Sequence, residues 1–179
     1  MTRKTILFLG MVLLFTLTGC ETNGRVHDKN YLRAVSVSGD GEKTVTFTFF
    51  TKDGKYITTS GKDITEAKEL AELRTGKKIF TGYTEMIVLD GHNSIDTLEF
   101  MLHKWKVSPS CIIAYSENDD NIFESSVERL TGSVDNAVRQ GKAPECDIIT
   151  VMSGLLGEKQ SAQVAGISTE GITSVHTLN

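Results

Sequence analysis

Alternating apolar and polar positions open the regular part of this chain. "YLRAVSVS" (Tyr31–Ser38) and "KTVTFTFFTK" (Lys43–Lys52) are rich in Val, Thr and Phe at period two, and "GDGE" between them supplies turn residues, so the pair predicts a β-hairpin. "KYITTS" (Lys55–Ser60) extends the second strand beyond the turn "KDGK". The period then changes. Asp63 occupies an N-cap position with Glu66 in the capping-box position three residues on. Ile64, Ala67, Leu70 and Ala71 follow at helical spacing, and Gly76 stops the helix.

"KKIFTGYTEMIVLDG" reads as a strand centred on Met86–Leu89, apolar enough to be buried on both faces. Asn93 or Ser94 caps a second helix, "SIDTLEFMLHKW", whose Ile95, Leu98, Met101, Leu102 and Trp105 form one stripe. "SPSCIIAYS" is a further strand. Helix, strand, helix, strand in this order implies right-handed crossovers and a partly parallel sheet. "NDDNIFESSVERL" begins a third helix with acids in its first turn, interrupted at Gly132-Ser133, and "VDNAVRQG" continues as a short helix or a kinked turn. Asp147 caps "DIITVMSGLLG", and "SAQVAGISTEGITSVHTLN" reads as two strands joined at "STEG". The expected fold class is α+β, a mixed β-sheet with helices packed against it.

The N-terminus follows different rules. Arg3 and Lys4 precede an apolar run from Ile6 to Leu17, which at 12 residues is too short to cross a hydrocarbon core. A basic start, a short apolar segment and small residues before a cut describe an export signal. The run ends in "LTGC" (Leu17–Cys20), which resembles the bacterial lipobox. That resemblance implies a diacylglycerol on the Cys20 sulfur and cleavage between Gly19 and Cys20. A thiol is needed as the nucleophile that takes up the lipid, and small neighbours let the peptidase close around the chain. Two acyl chains on one residue give stable anchoring where one gives only marginal binding. The expected organisation is a signal peptide over 1–19, a lipidated Cys20 with a flexible stalk over 20–30, and one α+β domain over 31–179. The anchored domain then lies on the outer face of a membrane.

Without the leader's two basic residues, 17 Lys and Arg face 23 Asp and Glu, a net charge of about −6. No basic patch is apparent, which argues against nucleic acid as a partner. With Cys20 committed to lipid, Cys111 and Cys146 remain. An exported chain can hold them as a 111–146 disulfide, or they can be two buried thiols acting as small hydrophobes; spacing does not decide between these.

No constellation argues for catalysis. None of the four histidines, His27, His92, His103 and His176, pairs with an acid, Cys or His at metal-ligand spacing. "SENDDNIFE" gathers Glu117, Asp119, Asp120 and Glu124 but lacks the glycine and acid spacing of a calcium loop. "GDGEKT" lacks the ending of a phosphate loop, and no Gly-x-Ser-x-Gly elbow occurs. Trp105 at the end of an amphipathic helix is either a core edge, the commoner case, or an anchor for a partner. No metal or diffusible cofactor is expected; the covalent lipid on Cys20 is the only added group.

From "TGKKIFTGYTEMIVLDG" to "SIDTLEFMLHKWKVSPSCIIAYSE" the order of features resembles the N-terminal domain of the Ger(x)C family, the lipoprotein C subunits of spore germinant receptors. Lys78, Ile79, Phe80 and Gly82 match its first segment, Met86–Leu89 its strand, Leu98, Phe100, Met101 and Leu102 its helix, and Ile112–Ala114 its next strand. The opening hairpin and "DIITVMSGLLGEKQSAQVAGIS" are similar as well. The chain departs from the family pattern at Tyr83, where His is common, in lacking an acidic-basic pair near "HKWKVS", and in its shorter length. The resemblance implies a non-catalytic subunit on the outer face of the spore inner membrane, beside A- and B-type integral membrane subunits, in nutrient-triggered germination. The alternative is an unrelated extracytoplasmic lipoprotein that binds a small ligand.

Overall fold

A computed structural model of the chain describes residues 29–51, 56–117 and 119–179. Gly19, Cys20, His27 and the leader lie outside the described residues. The strands are β1 (Lys29–Ser38), β2 (Lys43–Phe49), β3 (Tyr56–Gly61), β4 (Lys78–Phe80), β5 (Met86–Leu89), β6 (Ile112–Tyr115), β7 (Ala162–Ser168) and β8 (Gly171–Leu178). The helices are α1 (Ile64–Thr75), α2 (Ser94–His103), α3 (Val127–Arg139) and α4 (Ile148–Leu156), with a 3-10 turn at Asp119–Glu124. The eight strands form one mixed sheet in the order β3-β2-β1-β5-β6-β7-β8, with β4 paired to β1. This is the α+β architecture that the pattern predicts.

The centre of the sheet is parallel: β1, β5, β6 and β7 run side by side. Antiparallel strands close both sides, β2 and β3 on one and β8 on the other. Consecutive residues are buried along β1 (Ala34, Val35, Ser36, Val37) and throughout β5 (Met86–Leu89), so both faces of the centre are covered. That explains why these segments read as continuous apolar runs. Helix α1 packs on β2 and β3, α4 on β6, β7 and α2, and α3 on β8.

Local signals hold at several helix ends. Asp63 accepts the Glu66 amide at 2.8 Å, and the Glu66 carboxylate reaches back to the Lys62 amide at 2.7 Å. Gly76, with φ of 67°, ends α1 in the left-handed conformation that glycine adopts without steric cost. Asp147 accepts the amides of Ile149 and Thr150, each at 3.0 Å, and its carboxyl is held below its usual range. Burial opposes that shift; the Thr150 hydroxyl and the two amides outweigh it.

Four expectations change. Strand β1 begins at Lys29, two residues inside the segment read as stalk. "KYITTS" does not prolong β2 but folds back antiparallel to it as β3, with Ile57 opposite Phe47. The run "KKIFTGYTEMIVLDG" is two strands rather than one. Lys78–Phe80 pair with Lys29–Tyr31, and Met86–Leu89 pair with Ala34–Val37, so five residues of one run lie against two of β1. The surplus loops out, and threonine hydroxyls pin the loop. Thr84 Oγ1 donates to the Thr81 carbonyl at 2.6 Å, and Thr81 Oγ1 to the Trp105 carbonyl at 2.6 Å. Finally, the third helix does not start among the acids. Ser126 caps it, its hydroxyl accepting the Arg129 amide, and α3 runs unbroken through Gly132 and Ser133. Val127, Leu130, Val134 and Ala137 give it a buried face whose packing outweighs the poor helix propensity of one glycine.

Candidate functional site

The parallel pairing of β1 with β4 puts Tyr31 directly beside Phe80. The loop after β4 then lifts Tyr83 over both. The three rings form a closed cluster, with centroids 5.5 Å apart for Tyr31–Phe80, 6.0 Å for Tyr31–Tyr83 and 5.4 Å for Phe80–Tyr83. Phe50 adjoins it, its amide donating to the Tyr31 carbonyl at 3.0 Å. Tyr83 is 63% exposed, Phe50 45% and Phe80 38%. Rings that contact one another while facing solvent form an apolar patch, and such patches mark interaction sites more often than scattered apolar residues do.

Charges rim this cluster. Lys29 Nζ lies 5.9 Å from the centre of the Phe80 ring, and the Arg33 guanidinium 5.0 Å from that of Phe50. Arg33 also binds Glu85 at 2.8 Å and pairs with Glu128 of α3, tying the first strand to that helix. On the other side the buried Glu72 carboxylate accepts Lys68 at 2.6 Å, Lys78 at 2.7 Å and the Ile79 amide at 2.9 Å. Burial alone would raise the pKa of Glu72, but the two lysines and the amide hold it below the usual carboxylate value.

A second feature lies at the carboxyl ends of the parallel strands, where open α/β sheets bind ligands. A groove of about 740 Å³ is lined by Tyr115 and Ser116 at the end of β6, Ser168 and Thr169 at the end of β7, Ser174 and His176 of β8, and the carboxylates of Glu117 and Glu124. Burial pushes the Tyr115 hydroxyl up, as do the charges of Glu117 and Asp90. The acidic loop therefore contributes Glu117 and Glu124 to a polar wall.

The residues singled out in the sequence fall in different places. Trp105 is 7% exposed, packed against Phe47 and Phe100 with ring centroids 6.1 and 5.9 Å away. It belongs to the core, the commoner of the two readings. Cys111 and Cys146 are both free and buried, so the bridge is not formed. The backbones beside them nevertheless meet: Ile113 donates to the Cys146 carbonyl at 2.7 Å and Ile148 to the Cys111 carbonyl at 3.0 Å. Burial drives both thiols to high pKa, Cys111 furthest. His92 and His103 are exposed, and His176 lies in the groove. Among the described residues no three His, Cys, Asp or Glu side chains are placed to hold a metal ion, and no helix is long and apolar enough to cross a membrane.

The ring cluster has no signal in the sequence. Tyr31 lies about fifty positions before Phe80 and Tyr83, and the β1–β4 register joins it to them. Comparison with family models, with curated proteins and with solved structures finds no match. The Ger(x)C likeness accordingly stands on the residue patterns quoted above.

Proposed function

We propose that the chain is a lipid-anchored extracytoplasmic module without catalytic activity, working by contact in the manner of a Ger(x)C subunit. In this reading Cys20 carries the diacylglycerol, and the domain stands beside A- and B-type integral subunits in nutrient-triggered germination. The observation that carries it is the placement of the exposed Tyr31–Phe80–Tyr83 cluster at the first described residues, nine positions after Cys20. A module tethered at that point keeps its contact surface against membrane partners, and confinement raises its effective concentration there.

The test has two parts. Intact mass of the membrane-extracted protein is expected to show a chain starting at Cys20 with a thioether-linked diacylglycerol. Cross-linking in sporulating cells followed by mild-detergent extraction is expected to recover the two integral subunits. An unmodified full-length chain in the cytosol would sink the anchor, and recovery of the chain alone would remove the receptor partners.

A second reading, an extracytoplasmic binder of a small polar ligand, is favoured by the groove at the ends of β6 and β7. A ligand-dependent rise in melting temperature that is lost in Glu124→Gln would select it.

A further inference from the structure

We propose that the Tyr31–Phe80–Tyr83 cluster, with Phe50 beside it, seats the domain on the headgroup region of the anionic bilayer that holds its anchor. The inference rests on the lipid-anchor reading and adds to it an orientation.

Reach comes first. Eight residues lie between Cys20 and Lys29, nine chain steps in all. A flexible chain of that length has a root-mean-square span of about 17 Å and a limit of about 30 Å when fully extended. Lys29 itself touches the cluster, through its ammonium over Phe80 and its pairing with Lys78. The cluster is thus the part of the described surface that the tether holds nearest to lipid. At the effective concentration of a short linker, a contact too weak to recruit a free domain is occupied much of the time.

Chemistry comes second. Tyr carries an apolar ring with a polar tip, and it is enriched where hydrocarbon meets headgroup. Tyr83 presents such a ring at the outermost point of the cluster, on a loop that exists only because five residues face two across the β1 pairing.

Charge comes third. The chain as a whole is acidic, which opposes an anionic surface. At this rim the opposition is reduced. Glu72 is offset by Lys68 and Lys78, whereas the one charge of Arg33 offsets only one of Glu85 and Glu128. On the Phe80 side the ammoniums of Lys29, Lys68 and Lys78 exceed the carboxylates of Glu69 and Glu72 by one charge, and this side meets the lipid phosphates, whereas Glu85, Glu128 and Asp135 keep the Arg33 side acidic.

The experiment uses the lipidated chain in vesicles of phosphatidylcholine and phosphatidylglycerol. A fluorophore is attached at Tyr83→Cys or, as the control, at Leu156→Cys on α4, which packs on β6 and β7 rather than β1. The buried Cys111 and Cys146 do not compete for label. Spin-labelled headgroup lipid is expected to quench the fluorophore at 83 roughly twofold more than at 156. The excess is expected to shrink when phosphatidylglycerol is left out, and in a Tyr31→Ser/Phe80→Ser background whose far-UV spectrum is unchanged. Equal quenching at the two positions, in vesicles with which the protein floats, overturns the proposal and leaves the anchor intact. Protein that does not float overturns both. Excess quenching that appears only after the integral subunits are co-reconstituted overturns the lipid contact in favour of a protein one.

Discussion

Tyr115 and His176 stack face to face, with ring centroids 3.4 Å apart and planes 2° from parallel, although a whole strand lies between them. The register explains how. Tyr115 stands opposite Gly166 of β7, and Gly166 opposite Ser174 of β8, two residues before His176 on the same face. With no side chain at 166, rings from β6 and β8 meet across it. A Cβ there would lie 2.8 Å from Ser174 Oγ and 3.2 Å from Thr173 Oγ1. Gly166→Ala is therefore expected to destabilise the domain by about 1–3 kcal/mol through overpacking. His176→Ala loses one ring contact, about 0.5–1.5 kcal/mol. Urea midpoints check the order, and a Gly166→Ala chain as stable as the parent would contradict this packing.

Gly132 poses the opposite case. It sits inside α3, and a Cβ on it meets nothing within 4 Å. Gly132→Ala is expected to stabilise by about 0.5–1 kcal/mol, because alanine has less freedom to lose in a helix. Thermal melts read the gain. A loss would mean that the helix is interrupted at 132–133, against the continuous α3.

Glu72 links stability to pH. Its carboxyl is held below the usual value in the folded chain and returns to about 4.3 when unfolded. A depressed folded pKa contributes stability that is complete above the unfolded value and is lost as pH falls through the folded one. Stability is thus expected to decline as pH drops below about 4, and Glu72→Gln to flatten that part of the profile. Glu72→Ala, which also leaves the buried Ile79 amide without its acceptor, is expected to cost about 1–3 kcal/mol at neutral pH. Urea unfolding from pH 3 to 7 supplies the comparison; identical slopes in the parent and Glu72→Gln would show that the carboxylate is not paired.

The two core cysteines give a chemical check. Both are buried with raised pKa values, so little thiolate is exposed to react. Native protein is expected to resist alkylation at Cys111 and Cys146, and protein unfolded without reductant to take up label at both. Absence of label under the second condition would reveal a disulfide.

Much of the chain declares itself locally. Asp63 with Glu66, Asp147 before Ile148, and "STEG" between two strands each act within a few residues, so composition alone is enough to place them. The apolar continuity of Met86–Leu89 likewise follows from burial on both faces. The failures share one cause. Whether "KYITTS" prolongs a strand or doubles back, whether a fifteen-residue run is one strand or two, and whether α3 survives Gly132 all depend on what lies alongside. In each case packing against a distant element outweighs local preference.

The sequence by itself determined the alternating hairpin, most helix ends, the mixed sheet and the lipobox match at Cys20, because each is written within a window of a dozen residues. The tertiary structure alone decided that Tyr31 finds Phe80 and Tyr83. It also decided that Tyr115 reaches His176 over a bare glycine. Those pairings depend on strand order and register, which link residues about fifty to sixty apart and which no short stretch of chain encodes.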